Sequence, residues 1–213
     1  MKILIDNGHG SNTEQNGKFS PLLPGSELNI DSKFTNNGRF REWKYNRVIA
    51  RELVTKLKSY NIDAELVVPE DTDASLSERV RRVNTVCNKL GTDKVLLISI
   101  HSNAVGNGTS WMSGQGWEAY TTRGKTKADA LATCLYKRAK MNFLGKKIRE
   151  DWTDGDIDKE ADFYIILKSK CPAVLTENFF YDNKDDLKYL TSEEGVHNVV
   201  RTHIEGILDY LGK

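Results

Sequence analysis

The segment that most constrains this chain is Val95 to Ile100, a run of β-branched and leucine side chains with Ser99 inside it. A strand with one wet face alternates apolar and polar residues. One that is apolar on both faces must be covered on both, as in a parallel sheet held between layers of helix. The rest of the chain supplies the other parts of such a sheet. Ile3 to Ile5 is a short apolar run stopped by Asp6, Asn7 and Gly8, which reads as a buried strand and a turn. Tyr45, Val48, Ile49, Leu53 and Leu57 recur at helical spacing and predict a helix opened by Glu42. Ile62 to Val68 reads as a strand. Ser75 and Glu78 form a capping box ahead of the stripe Leu76, Val80, Val83, Cys87 and Leu90. Trp117 to Thr122, Tyr164 to Leu167 and Ala173 to Thr176 read as strands, and 126–143 as a helix. Val196, Val200, Ile204, Ile207 and Leu211 mark the last helix, while the charged stretch 149–160 fits neither pattern. The class expected is α/β: a single domain over residues 1–213 with a twisted, mostly parallel β-sheet flanked by helices on both faces. Two Gly-, Ser- and Asn-rich loops, 10–41 and 102–116, interrupt it. Loops of the first one's length inside a compact domain are often functional.

The bulk numbers exclude several classes of partner. The 31 basic and 30 acidic side chains nearly cancel, leaving no basic excess or stripe for nucleic acid or an anionic membrane surface. The apolar run at the N-terminus ends at Asp6, short of the roughly 7–15 residues of a secretion signal. No stretch approaches the roughly 20 apolar residues of a membrane span. A monomer without a signal peptide or membrane insertion is expected, synthesised in the cytoplasm. Cys87, Cys134 and Cys171 are odd in number and far apart in sequence. They read as reduced, buried thiols, not as a disulfide framework or a cysteine zinc site.

Four polar residues stand at equivalent places. His9 follows the first strand in Asp-Asn-Gly-His-Gly, His101 ends the most buried strand, Glu177 ends the strand of Ala173, and Glu42 opens a helix. Ligands of open parallel sheets bind beyond the carboxyl ends of the strands, so all four can meet on one rim. Two histidines, one carboxylate and an open position make a catalytic zinc arrangement. Zinc brings the pKa of a bound water down to about 7 and polarises a carbonyl, and a second carboxylate can shuttle the proton. Glu42 at a helix N-terminus is favoured as the anion and so as ligand. Glu177, after apolar Pro172 to Leu175, is raised by desolvation and suits the shuttle. Position alone leaves the choice between them open. His197 and His203 lie six apart, roughly 120° around a helix, which does not suit a metal pair. His203 falls on the apolar stripe as a core histidine and His197 in solvent. No His-Glu-x-x-His sequence occurs.

These residues resemble the type-3 N-acetylmuramoyl-L-alanine amidases, zinc enzymes that cleave peptidoglycan. The resemblance rests on Ile-Asp-Asn-Gly-His-Gly, Glu42, the helix-borne pair Arg79 and Asn84, and Ser-Ile-His-Ser-Asn-Ala from Ser99 to Ala104. It continues with Pro172 to Glu177 followed by Phe179, Phe180 and Asn183, in the family's order along nearly the whole chain. It implies zinc on His9, Glu42 and His101, with Glu177 as catalytic acid and base. The implied substrate is peptidoglycan or muropeptides, cut between N-acetylmuramic acid and L-alanine. The chain departs from the family at Asn7, where proline is usual, at Thr176, where an aliphatic residue is usual, and in its longer 10–41 loop. Asn103 belongs to the Ser99 to Ala104 motif and is a candidate substrate contact. Trp111 can stack on a sugar or stem peptide or pack its loop down. Arg39, Arg41 and Lys44 flank Glu42 and can meet stem-peptide carboxylates or form a solvated basic surface. Two other readings stay open: a wall-binding module without catalysis, and a zinc carboxypeptidase acting on stem peptides. Without a secretion signal, the wall is expected to be reached after release from the cell or by a route the sequence does not show.

Overall fold

A computed structural model describes residues 1–13, 18–25 and 28–213. The chain opens with β1 (Lys2–Asn7), and a small hairpin of β2 (Thr35–Asn36) and β3 (Arg39–Phe40) precedes α1 (Glu42–Ser59). Next come β4 (Asp63–Leu66), α2 (Leu76–Leu90), β5 (Val95–Asn103), β6 (Glu118–Thr121) and α3 (Ala128–Asn142). The remainder is β7 (Lys159–Glu160), α4 (Tyr164–Lys168), β8 (Ala173–Phe180), α5 (Lys184–Leu190) and α6 (Glu193–Tyr210). Six strands form one sheet in the order β4-β1-β5-β8-β6-β7. Every neighbouring pair is parallel except β6 with β8.

The apolar run of β5 sits between β1 and β8, and alternation along each strand sends side chains to two cores. Ile3, Ile5, Leu96, Ile98 and Ile100 join α1, α3 and α6 on one face. Leu4, Val95, Leu97 and Leu175 join α2 and α4 on the other. A strand apolar on both faces is what this double cover requires. No helix of the described residues is long and apolar enough to cross a membrane. The three cysteines are free thiols, Cys87 and Cys171 buried and Cys134 half-buried.

Several local readings are corrected. Tyr164 to Leu167 is not a strand but lies in α4. Its two central isoleucines are buried while Tyr164 and Leu167 are exposed, and four apolar residues are too few to display a period. Trp117 to Thr122 shortens to β6. The capping box is half formed: Ser75 Oγ accepts from Glu78 N at 3.2 Å, but the Glu78 carboxylate pairs with Arg81 and Arg82. The stripe of α2 is buried at Val80, Val83 and Cys87 and exposed at its ends, Leu76 and Leu90. The 10–41 loop contains the β2–β3 hairpin, and its residues 14–17 and 26–27 lie outside the described residues.

Candidate metal centre

Beyond the carboxyl end of β1 the chain turns at Gly8 and His9. A Cβ on Gly8 would stand 2.2 Å from Cε1 of His101, so only glycine lets the two histidine-bearing segments approach this closely. His9 itself adopts φ 63°, a left-handed conformation that is costly for a side-chain-bearing residue. It is held there by its carbonyl, which accepts from Arg47 Nη1 at 2.7 Å and Arg79 Nη2 at 3.1 Å. Arg79 also donates to Asn7 O at 2.8 Å and pairs with buried Asp6. The Arg79 of the family motif is thus a clamp on the His9 turn. Asn84, its companion, grips the turn before β8, donating to Lys168 O at 3.0 Å and accepting from Lys170 N at 2.9 Å.

Glu42 enters as the first residue of α1 and is buried. Its Oε1 lies 3.0 Å from His101 Nδ1 and its Oε2 3.3 Å from His9 Nε2. Oε1 also accepts from Ser102 N and Asn46 Nδ2, each at 3.2 Å. Burial pushes this carboxyl up, but His9 and His101 together outweigh burial and hold it well below its ordinary range. Ligand atoms of His9, Glu42 and His101 all lie within 4.8 Å of one another. A tetrahedral ion with bonds of about 2.0–2.2 Å keeps its ligand atoms about 3.4 Å apart. The histidine–carboxylate separations are within a few tenths of that, and two imidazoles with one anionic carboxylate are a donor set that zinc accepts.

Glu177 stands on β8 directly beside His101 in the strand register and opposite Glu118 of β6. Its Oε2 is buried without a hydrogen-bond partner. Burial first, then the charges of Glu42 and Glu118, raise its carboxyl well above the usual value against the opposing influence of Lys18. Thr176, the departure next to it, faces the other way. Its hydroxyl meets His203 Nε2 at 2.9 Å in the core, so it adds no polar group to the Glu177 side of the strand. His203 is the buried core histidine expected, and His197 is exposed. A cavity of about 130 Å³ is lined by His9, Glu42, His101, Asn103 and Glu177, with Lys18 and Tyr181 on its wall. A larger hollow of about 890 Å³, beside Gln115, Lys146 and Lys188, contains none of the candidate residues.

The other candidates are employed differently. Arg39 Nη1 donates to Ser20 O at 2.9 Å and Gly108 O at 2.7 Å, tying two loops together. Arg41 donates to Asn36 O and Lys44 to Thr35 O, both on the hairpin. Trp111 packs partly buried against the core with Lys184 over its ring. Residues that sequence reasoning missed are Asn46 and Ser102 on Glu42, Arg47 on His9, and Glu118. Buried Glu118 pairs with Arg149 at 2.6 Å and Lys159 at 2.7 Å, and accepts from Asn103 Nδ2 at 2.6 Å. Asn46 was detectable one helical turn after Glu42. Glu118 had no sequence signal, because its place depends on the antiparallel pairing of β6.

Residues 3–209 match the profile of the N-acetylmuramoyl-L-alanine amidase family. The chain is 29% identical over 168 residues to an endolysin of Bacillus phage SPP1, an alignment covering 76% of this chain and 57% of the phage protein. It is 32% identical over 191 residues to the N-acetylmuramoyl-L-alanine amidase LytC of Bacillus subtilis, covering 88% of this chain and 31% of that one. The solved structure of Cwp6 from Clostridium difficile superposes with a TM-score of 0.72 at 27% identity, over 99% of this chain and 29% of that one. The chain therefore spans little more than half of the phage protein and under a third of the other two. The family match runs from β1 into the last turns of α6 and takes in every strand of the sheet, and on that ground the chain belongs to the N-acetylmuramoyl-L-alanine amidase family of type 3.

Proposed function

We propose that this chain is a zinc-dependent N-acetylmuramoyl-L-alanine amidase, hydrolysing the amide between the lactyl carbonyl of N-acetylmuramic acid and the L-alanine of the stem peptide. The observation that carries this reading is one small cavity holding two histidines and a low-pKa carboxylate beside a second carboxylate of raised pKa. Family membership and the amidases among its relatives support the choice of bond. His9, Glu42 and His101 would hold the zinc, which supplies Lewis acidity that polarises a carbonyl and acidifies water. Glu42 serves as the fixed anion: Ser102 N and Asn46 Nδ2 hold its carboxylate in place, and α1 orients it from the helix N-terminus. Glu177 moves the proton. A carboxyl raised by burial and like charge, with an unpartnered oxygen, can take a proton from the attacking water and pass it to the leaving nitrogen of L-alanine. Asn103 lines the same cavity, fixed there by its Nδ2 donating to Glu118 and its Oδ1 accepting from Ala104 N.

Digestion of defined muropeptides tests the reading. New L-alanine amino termini should appear with intact glycan, activity should disappear on chelation, and zinc should restore it. Release of terminal D-alanine without new L-alanine termini would make the protein a carboxypeptidase. Zinc binding with no turnover of any muropeptide would leave a wall-binding module.

A further inference from the structure

The charged stretch 149–160, which matched no helix or strand pattern, ends in a second cluster of acids remote in sequence from the metal centre. Carboxylate oxygens of Asp129, Asp156 and Asp158 all lie within 4.8 Å of one another. Asp129 sits in the first turn of α3, and Asp156 and Asp158 lead into β7. Asp129 accepts from Thr126 N at 2.7 Å and from Thr126 Oγ at 2.6 Å, and none of the three forms a salt bridge among the described residues.

Most of the protein's other buried acids are met by cations or by backbone N–H groups. The buried acids among the described residues are Asp6, Glu42, Glu118, Asp158, Asp182 and Asp186. Asp6 has Arg79, and Glu118 has Arg149 and Lys159. Glu42 has two histidines. Asp182 accepts from the backbone N–H groups of Val105 and Gly106, and Asp186 from those of Gly116 and Phe180. Asp158, 1% exposed, has only the hydroxyl of Thr121 on Oδ2 at 2.7 Å. Its Oδ1 is buried with no partner, as are Oδ1 of Asp156, Oδ1 of Asp182 and Oε2 of Glu177, but among the described residues only here do two such oxygens belong to one acidic cluster. Burial, then the charge of Asp156, a hydrogen bond shared with Asp156 and the charge of Asp129, push the Asp158 carboxyl up to about 7 against the opposing Thr121 hydrogen bond. An anion buried beside two others, with no cation or N–H donor, is a costly arrangement unless a positive charge joins it.

We infer that Asp129, Asp156 and Asp158 form a second metal site, for a hard divalent cation of the size of calcium. The donors are all oxygen, as hard cations require. Magnesium demands a near-ideal octahedron, whereas calcium tolerates irregular and higher coordination. Calcium also completes its six to eight ligands with water and carbonyl oxygens, so three side chains suffice to anchor it. The ion would join the start of α3 to the segment carrying Arg149 and Lys159, the two cations that neutralise Glu118. Nothing in this inference depends on which bond the chain cleaves.

The test is calcium titration of the zinc-loaded protein at pH 8, by calorimetry and by thermal unfolding. One calcium should bind, raising the melting temperature, with zinc content unchanged. Asp158→Asn and Asp156→Asn should each weaken calcium binding by at least about tenfold through loss of an anionic ligand. Asp156 lies on the outer side of the cluster, so its variant remains informative if the Asp158 change disturbs folding. Glu42→Gln, altered at the other centre, should keep the calcium response. The site is overturned if wild-type protein binds no calcium up to about 10 mM, above the range of weak extracellular calcium modules. It is equally overturned if both aspartate variants bind calcium as wild type does, or if Glu42→Gln abolishes the response. An Asp156–Asp158 pair that shares a proton in place of a cation would show a stability that falls as pH rises through about 7 and does not respond to calcium.

Discussion

Glu42 and Glu177 are both desolvated, and their neighbours send them in opposite directions. Two imidazoles reverse the effect of burial on Glu42, whereas two further carboxylates add to it on Glu177. Their glutamine variants should therefore fail in different ways. Glu177→Gln keeps the shape and removes the proton site. Turnover should fall by at least about 10²-fold, with zinc content and muropeptide affinity little changed. Glu42→Gln removes the anionic ligand, so zinc affinity should drop and excess zinc should restore part of the activity. Zinc content and turnover of both variants, with and without added zinc, check the pair. Loss of zinc from Glu177→Gln alone would exchange the two roles. Gly8 offers a third experiment, because an alanine Cβ would meet the His101 ring. Gly8→Ala should lower zinc affinity more than it lowers the melting temperature.

At the scale of elements, the His9 turn depends on α2 through Arg79, whose guanidinium reaches Asp6, Asn7 O, His9 O and Asp73. Removing one partner of a buried ion pair strands the other charge and costs about 3–5 kcal/mol. Arg79→Ala should lose stability of that order in urea unfolding, and zinc affinity with it. What was legible in the sequence follows the same division. Val95 to Ile100 announced a doubly covered strand because its apolar character is continuous. His9 and Glu42 could be singled out because a strand end and a helix start are marked by local turn chemistry, whereas His101 and Glu177, read as strand ends, lie inside β5 and β8, which run on to Asn103 and Phe180. The structure brings His9, Glu42 and His101 together and puts Glu177 on the same cavity. Tyr164 to Leu167 was misread because four apolar residues suit a helical turn as well as a strand. Glu118 and the acids around Asp158 were invisible as groups. Their partners come from β6, α3 and the 149–160 segment, and only long-range packing decides which of these meet.

Over the whole molecule, His203 connects pH to stability. Its Nδ1 faces the Val199 carbonyl at 2.7 Å, so that nitrogen carries the proton and Nε2 accepts from the Thr176 hydroxyl. Burial brings its pKa down to about 4 in the folded chain, against about 6.5 when unfolded. The folded state thus binds fewer protons between those values. Its contribution is complete above about pH 6.5 and is lost as pH falls toward 4, in all about 3 kcal/mol. Between pH 7.5 and 5 the loss should be about 2 kcal/mol. Chelated wild type should show it in urea unfolding, and His203→Asn should flatten the slope by that amount. An identical slope in the variant would mean that other groups set the acid limit. The three residues of the proposed metal centre all precede Glu177 in the chain, and Glu177 lies on β8, which must insert between β5 and β6. A growing polypeptide therefore has every proposed metal ligand before it has its proton shuttle. A ribosome-bound or truncated product that ends before β8 would lack the proposed proton shuttle and the strand between β5 and β6, so a chain truncated there should bind zinc weakly if at all and show no turnover of muropeptides.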